Sequence, residues 1–230
     1  MLDYPGTWGF AIIDIGCDAA ASFPPAYVQY PASAAKIVPV IAVLRAVARG
    51  DIEFETVAGD LELVMTISSD ESADYLASLV TDEDVADVLA LAGVSTLTTF
   101  VHDWESASMT PADLAAVWAG LLRGDLLPPE WESYLLDLAG QAVIPEGYQT
   151  FPVDPGLAGY AYGQKAGFWV SDDEPDVLVG AGFLRSESGG PGFAIVLMVT
   201  TEAGDELEAK RHDVFPLLRD FVAGETRPSR

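Results

Sequence analysis

The strand-like segments of this chain lie at its two ends, and this placement constrains the fold more than any other feature. An apolar run with β-branched residues covers 8–15, and three similar runs cover 160–170, 177–184 and 193–200. The sequence between them has mostly helical patterns. Because a single strand is not stable alone, the first run must pair with the last three. The sequence therefore predicts an α+β fold, in which both chain ends build one antiparallel sheet and a helical lobe is inserted.

The middle of the chain carries clear helix signals. From Ser33 to Gly50, apolar residues on all faces predict a buried helix, with a tight first turn or a kink at Pro39. Further helices are predicted at 72–80, from Thr81 with its capping box to Asp84 until near Gly93, from Thr110-Pro111 to about Arg123, from Pro128 to about Gly140, and at 205–223.

The remaining segments, 18–32, 93–110 and 145–160, are predicted to be connections. We expect one domain over 1–230, with a sheet lobe of about 1–32 and 145–230 and a helical lobe of about 33–144. A cleft between two such lobes is where a ligand site is expected.

Composition excludes several partners. The formal net charge is −25, which repels nucleic acid and anionic membranes. No apolar run reaches the roughly 18 residues that a membrane span needs. The single cysteine, Cys17, excludes an internal disulfide, and His102 and His212 lack ligand spacing, so we expect no metal and no cofactor. We also expect a monomer.

The first residues contain no basic region and no apolar signal core. The sequence as given therefore predicts a cytoplasmic protein, or an exported one whose leader is absent from it.

Three short motifs could carry chemistry, although each has a structural alternative. Ser33 and Lys36 lie three residues apart at a helix start, so the amine can approach the hydroxyl and activate it; the alternative is a helix cap with a solvated lysine. Ser69-Asp70-Glu71 also fits a serine N-cap with acidic first-turn residues. Lys165-Ala166-Gly167 also fits an edge strand. Only three lysines occur in the chain, which makes Lys36 and Lys165 conspicuous.

Taken together and in this order, the motifs resemble the S-x-x-K, S-D-N and K-T-G set of the penicillin-recognising serine hydrolases. The stretches PASAAKIVPVIAVLRAVARGDI, MTISSDESADYL and MTPADLAAVWAGLLRGDLLPPEW are similar to class A β-lactamases, and the resemblance covers about 7–223. It implies the β-lactamase and DD-peptidase fold, with a β-lactam or a D-alanyl peptide-like molecule as substrate.

The resemblance also implies roles for individual residues. Ser33 would be the acylated nucleophile, Lys36 its proton acceptor, and Ser69 the relay to the leaving group. Lys165 would attract a substrate carboxylate. The backbone N–H groups of Ser33 and Phe168 would form the oxyanion hole, and Glu71, Ala166 and Gly167 would line the substrate site.

This chain departs from the family pattern at several places. Glu71 stands where the family has Asn, and Ala166 stands where it has Thr or Ser, so two polar contacts to substrate change. The segment between the first two motifs is short, and a long N-terminal helix is absent. No loop glutamate is evident for activating the deacylating water; His102, Asp103 and Glu105 are candidate substitutes, or else ordinary surface residues.

Three functions follow from these observations. The first is an acyl-transfer serine hydrolase that deacylates β-lactams poorly, and the second is a weak β-lactamase. The third is a catalytically inactive binding module that keeps the fold.

Overall fold

The strands of both chain ends form one sheet in the computed structural model. The model describes residues 7–101, 103–144, 159–170, 175–188 and 192–201. Within these ranges the sheet is antiparallel with the strand order β2-β1-β7-β6-β5. Its members are β1 (Thr7–Asp14), β2 (Ala20–Phe23), β5 (Tyr160–Trp169), β6 (Asp176–Ser186) and β7 (Phe193–Thr201). The predicted α+β fold and its sheet are confirmed.

The described part of the chain between β2 and β5 contains the helices and one hairpin. The elements are a 3₁₀ helix (Ala32–Lys36), α1 (Ile37–Arg49), a second 3₁₀ helix (Phe54–Thr56), α2 (Ala58–Ile67), α3 (Asp70–Ser78), α4 (Asp82–Leu91), β3 (Thr99–Val101), β4 (Asp103–Ser108), α5 (Pro111–Leu122) and α6 (Pro129–Gly140). No helix of the described ranges is long and apolar enough to span a membrane.

The first helix lies in the centre of the core. Each of its residues from Ile37 to Leu44 is buried, as the apolar residues on all faces predicted. Pro39 lies in the first turn of α1, where its missing N–H costs no hydrogen bond. The preceding residues form the 3₁₀ helix, which is the tight first turn that the sequence predicted. Gly50 ends α1 in the left-handed conformation, with φ of 78°.

Helix α5 packs against β1 and β7 of the sheet and also contacts α4. Trp118 of α5 is fully buried, and its ring lies 5.8 Å from that of Phe183 on β6. Gly9 of β1 gives Pro111 room at the start of α5, since a Cβ there would lie 2.5 Å from the proline ring.

Several local predictions need correction. The connection 18–32 contains the edge strand β2, and 93–110 contains the hairpin β3–β4, which the sequence did not indicate. The helix expected at 72–80 is Asp70–Ser78. The helix at 205–223, most of the loop at 145–160, and part of the turn at 188–192 lie outside the described residues.

A buried carboxylate fixes the segment before that hairpin. Asp113, 4% exposed on the first turn of α5, accepts hydrogen bonds from the N–H and the hydroxyl of Ser95, at 2.8 Å each, and from the Thr98 hydroxyl at 2.7 Å. Its own N–H donates to the Thr110 hydroxyl at 3.0 Å. Burial raises the pKa of Asp113, but these hydrogen bonds outweigh burial and hold the pKa below its ordinary value.

We expect Asp113→Asn to lower the free energy of unfolding at pH 7 by about 1.5–3 kcal/mol, the range for hydrogen bonds to a charged group. A depressed pKa stabilises the fold above the unfolded-state pKa and loses this effect as pH falls through the folded-state value. The difference from wild type should therefore shrink below about pH 4. Urea unfolding at pH 7 and pH 3 measures it, with the exposed Asp87→Asn as control. A difference that is constant with pH would contradict the assignment.

Candidate active site

The hydroxyl of Ser33 is presented by the short 3₁₀ helix at the start of α1. Ser33 is half-buried, while its neighbours Ala32 and Ala34 are buried. Ala32 has φ of 46°, in the left-handed region that side chains with a Cβ rarely adopt. Such strain persists only where the surroundings enforce it, and it is common at functional sites. Here it directs the chain into the helix that carries Ser33 and Lys36.

Lys36 is fully buried and its ammonium group is surrounded. Its Nζ donates to the Ser68 carbonyl at 2.9 Å, to the Ser68 hydroxyl at 3.5 Å, and to the carboxylate of Asp70. The ring of Trp104 lies 4.1 Å from the same Nζ, within cation–π range. Among the described residues, no hydrogen bond joins Lys36 to the Ser33 hydroxyl.

The second serine of the site is Ser68, which lies at the junction of α2 and α3. It ends α2 with φ of 62°, and its Oγ lies 2.8 Å from Lys165 Nζ. Ser69, the residue expected to relay a proton, instead caps α3 by accepting a hydrogen bond from the Ser72 N–H at 3.2 Å. The position between the two lysines is therefore occupied by Ser68, one residue before the predicted one. Because Ser68 and Ser69 are adjacent, the sequence offered both as candidates for the second serine of the site.

The same shift applies to the following residue. Asp70, not Glu71, lies beside Lys36, and the Glu71 side chain is exposed. The Asp70 side chain is 71% exposed, so its carboxylate reaches from the surface to a buried ammonium.

The edge strand β5 closes the other side of the cleft. Lys165 is 2% exposed, and its Nζ donates to the Ala166 carbonyl at 2.9 Å as well as contacting Ser68. Gly167 lies against the 3₁₀ helix: a Cβ there would be 2.5 Å from the Pro31 carbonyl oxygen and 2.9 Å from the Ser33 nitrogen. This close approach places the backbone after Gly167 next to the N–H of Ser33.

Burial shifts the pKa values of both lysines. It lowers the pKa of Lys36 below its ordinary value, while the hydrogen bond and charge of Asp70 oppose this. Burial lowers the pKa of Lys165 well below its ordinary value, and the positive charge of Lys36 lowers it further.

The hairpin β3–β4 covers the Lys36 side of the site. Trp104 of β4 is 4% exposed, and its Nε1 donates to the Asp74 carboxylate at 3.0 Å. The neighbouring Asp103 and Glu105 are exposed. Their negative charges raise the pKa of Tyr30 beyond the effect of its burial, which shows that the hairpin contributes charge to this region. His102 lies outside the described residues.

The structure thus brings Ser33, Lys36, Lys165 and Gly167 together with Ser68 and Asp70. Ala166 is buried and offers no hydroxyl, and Phe168 is 36% exposed. Within the described ranges, no cluster of three or more His, Cys, Asp or Glu residues could hold a metal ion.

A serine-bearing helix, a helix–helix junction and an edge strand that meet at one site define the class: this chain has the fold and family of serine hydrolases of the β-lactamase type. More specifically, it belongs to the β-lactamase enzyme family, whose model matches residues 55–212. The match includes Ser68 and Lys165 but begins after Ser33 and Lys36. No curated protein sequence matches the chain.

Solved structures of this fold superpose over nearly the whole chain. A β-lactamase from Sphaerobacter thermophilus is 21% identical, with a TM-score of 0.76, and the match covers 97% of this chain and 94% of that one. The extended-spectrum β-lactamase TLA-1 is 14% identical, with a TM-score of 0.80 and coverage of 96% and 94%. A variant of PBP-A, described as an acyl-enzyme complex with penicillin G, is 17% identical, with a TM-score of 0.73 and coverage of 95% and 92%.

Proposed function

We propose that this chain is an acyl-transfer enzyme that forms an ester on Ser33 and hydrolyses that ester slowly when the acyl group comes from a β-lactam. The substrate is a β-lactam or a D-alanyl peptide-like amide or ester. One observation carries the proposal: the Ser68 hydroxyl lies 2.8 Å from Lys165 Nζ and 3.5 Å from Lys36 Nζ, beside the helix that presents Ser33.

Acylation needs a proton acceptor and a site for the developing oxyanion. Lys36, Ser68 and Lys165 form a connected set of groups that can move the proton from Ser33 to the leaving group. The N–H groups of Ser33 and Phe168 are the oxyanion donors in this proposal. The approach of Gly167 to the Ser33 nitrogen supports their placement on opposite sides of one small space.

Slow deacylation is supported by the surroundings of Lys36. Hydrolysis of an acyl-enzyme needs a water molecule held by a base. Trp104, held by Asp74, puts an indole ring 4.1 Å from Lys36 Nζ, and an indole can donate but cannot accept a proton. The carboxylates on either side of Trp104 in β4, Asp103 and Glu105, are both exposed. Neither arrangement favours a water molecule poised at the ester.

Recognition of a β-lactam should also be weak. Ala166 has no hydroxyl for a substrate carboxylate, and the Asp70 carboxylate can accept a hydrogen bond but cannot donate one to a substrate carbonyl. Lys165 supplies positive charge, but its Nζ is buried and engaged by Ser68 and Ala166.

Incubation with a labelled penicillin should give a covalent adduct of one molecule per chain, detected by intact mass. The adduct should persist for much longer than one turnover of an ordinary β-lactamase. Ser33→Ala should abolish it, because no other hydroxyl lies at the start of the 3₁₀ helix. Nitrocefin hydrolysis should be slow. Rapid turnover of nitrocefin would show that the protein is an ordinary β-lactamase and would contradict slow deacylation. An adduct that still forms in Ser33→Ala would overturn the assignment of Ser33 as the nucleophile.

The changes at Asp70 and Ala166 also favour a second candidate, a binding module of this fold without catalysis. No adduct with penicillins, activated esters or D-alanyl peptides, from a protein that remains folded, would support that candidate.

A further inference from the structure

Two buried lysines in this cleft share one hydroxyl group. Lys36 Nζ and Lys165 Nζ both contact Ser68 Oγ, at 3.5 Å and 2.8 Å. Both side chains are almost completely buried, at 0% and 2% exposure. Two ammonium groups this close, removed from water, repel each other and each pays for its desolvation. One of the two lysines should therefore lose its proton at a lower pH than the other, and the surrounding groups determine which lysine this is.

The neighbours of Lys36 favour the ammonium form. An ammonium has three N–H donors, and Lys36 has three acceptors: the Ser68 carbonyl, the Ser68 hydroxyl and the Asp70 carboxylate. The face of the Trp104 ring adds a cation–π contact. The negative charges of Asp74 and Glu105 act in the same direction as that of Asp70.

The neighbours of Lys165 favour the neutral amine. Within the part of the chain that the structure describes, its hydrogen-bond partners are the Ala166 carbonyl, which only accepts, and the Ser68 hydroxyl, which can either accept or donate. A neutral amine satisfies both by donating to the carbonyl and accepting from the hydroxyl. Among the charged groups of the described residues, Lys36 opposes the charge of Lys165, and Asp70, which already pairs with Lys36, supports it.

We propose that Lys165 rests as the free amine and is the proton acceptor for acylation, while Asp70 keeps Lys36 as a fixed ammonium. This inference rests on the proposed acyl-transfer function and assigns the base within it. The sequence resemblance implies the opposite division, with Lys36 as the acceptor; the Asp70 carboxylate at the second motif is the feature that exchanges the roles.

The proposed step conserves protons and electrons. The Ser33 oxygen forms a bond to the substrate carbonyl carbon, and the carbonyl π bond breaks as its electron pair moves onto the carbonyl oxygen. At the same time the Ser33 proton passes to the Ser68 oxygen, and the Ser68 proton passes to Lys165 Nζ. When the tetrahedral intermediate collapses, the carbon–leaving group bond breaks. The leaving nitrogen or oxygen takes a proton from Ser68, and Lys165 returns its proton to Ser68. The ammonium of Lys36 holds the Ser68 backbone in place and neither gains nor loses a proton in this step.

The scarcity of lysine makes a direct measurement possible. With ¹³Cε-labelled lysine, the chain gives three signals, for Lys36, Lys165 and Lys210. Lys210→Arg and Lys165→Met assign them. We expect the Lys165 signal to titrate at least one pH unit below the Lys36 signal, with Lys36 still protonated where Lys165 is neutral. A Lys36 signal that titrates first, or two ammonium signals at a pH where acylation proceeds, would overturn the assignment.

A variant of Asp70 tests the cause of this order. In Asp70→Asn the fixed counter-charge is gone, so the titration midpoint of Lys36 should fall by one pH unit or more and approach that of Lys165. An unchanged Lys36 midpoint would show that Asp70 does not set the roles. Glu71→Gln is the matched control, since it removes one carboxylate from the exposed neighbour and should leave both midpoints in place.

Kinetics connect the protonation states with the reaction. The rate of adduct formation by a penicillin or an activated ester should rise with pH through the Lys165 midpoint measured by NMR. A rate that follows the Lys36 midpoint would contradict the role of Lys165. The order in which the two lysines titrate is measured by NMR without substrate. The expected order can therefore be absent although acylation is observed, or present although no probe acylates the protein. Failure of this inference and failure of the proposed function are therefore separate outcomes.

Discussion

Ser68→Ala is expected to slow acylation of Ser33 by about 10²- to 10⁴-fold, the range for loss of a positioned proton-transfer group. The Ser68 hydroxyl is the group in contact with both lysine Nζ atoms, so its removal separates the nucleophile from the amine that takes its proton. The backbone carbonyl of Ser68 still accepts from Lys36 in this variant, so the fold around the lysine should persist. Intact-mass time courses with a penicillin or an activated ester measure the rate.

Ser69→Ala provides a matched comparison because it removes a hydroxyl one residue away with a different structural role. Ser69 caps α3, and loss of an N-cap costs about 1 kcal/mol of stability. We expect Ser69→Ala to unfold at a lower urea concentration and to be acylated at nearly the wild-type rate. Ser68→Ala should unfold at nearly the wild-type urea concentration and be acylated slowly. If Ser69→Ala were the slow variant, the proton path through Ser68 would be wrong.

Gly167→Ala is expected to reduce acylation by roughly 100-fold or more, the effect of removing one oxyanion donor. A Cβ at this position would lie 2.5 Å from the Pro31 oxygen, 2.6 Å from the Ala34 nitrogen and 2.9 Å from the Ser33 nitrogen. These are backbone atoms that cannot rotate away, so β5 must separate from the 3₁₀ helix. In the proposed mechanism this separation moves the N–H groups of Ser33 and Phe168 apart, so that they can no longer donate to the same oxyanion.

Gly59→Ala is the control for this substitution. A Cβ on Gly59 would meet no atom within 4 Å, and alanine favours a helix more than glycine does. We expect Gly59→Ala to retain the wild-type acylation rate with equal or greater thermal stability. The melting temperature of Gly167→Ala should also be measured, so that loss of activity in a folded protein is distinguished from unfolding. A folded Gly167→Ala protein with the wild-type rate would contradict the proposed oxyanion site.

The sequence indicated which elements meet at the candidate site but not every residue there. Ser33, Lys36 and Lys165 were selected because three motifs occur in the order of a known family, and the structure brings the three residues near one another, although their catalytic roles stay predictions. The second motif was placed one residue late. Its correct position depends on Ser68 taking a left-handed conformation at the end of α2, and serine gives no local signal for that conformation. A one-residue shift at a helix junction exchanges a capping serine with one that faces the cleft.

The fold was predictable where patterns were long. Apolar runs bounded by turn signals located β5, β6 and β7, and capping signals located α4 and α5, to within a few residues. The hairpin β3–β4 was missed because its strands are short and polar, and their pairing is decided by tertiary contacts such as that of Trp104 with Asp74 and Lys36. Strand β2, at Ala20–Phe23, was hidden in an alanine-rich and proline-rich segment for the same reason.

The pairing of β1 with β7 has a consequence for biosynthesis. Thr7 leaves the ribosome long before its partner Thr200, which emerges only after every other strand of the described sheet. Until then, β1 has β2 on one edge and an open row of hydrogen-bonding groups on the other. Pairing between such distant segments is slow compared with local helix formation. The helical segments should therefore begin to compact during translation, while the sheet is completed only once β7 has been synthesised.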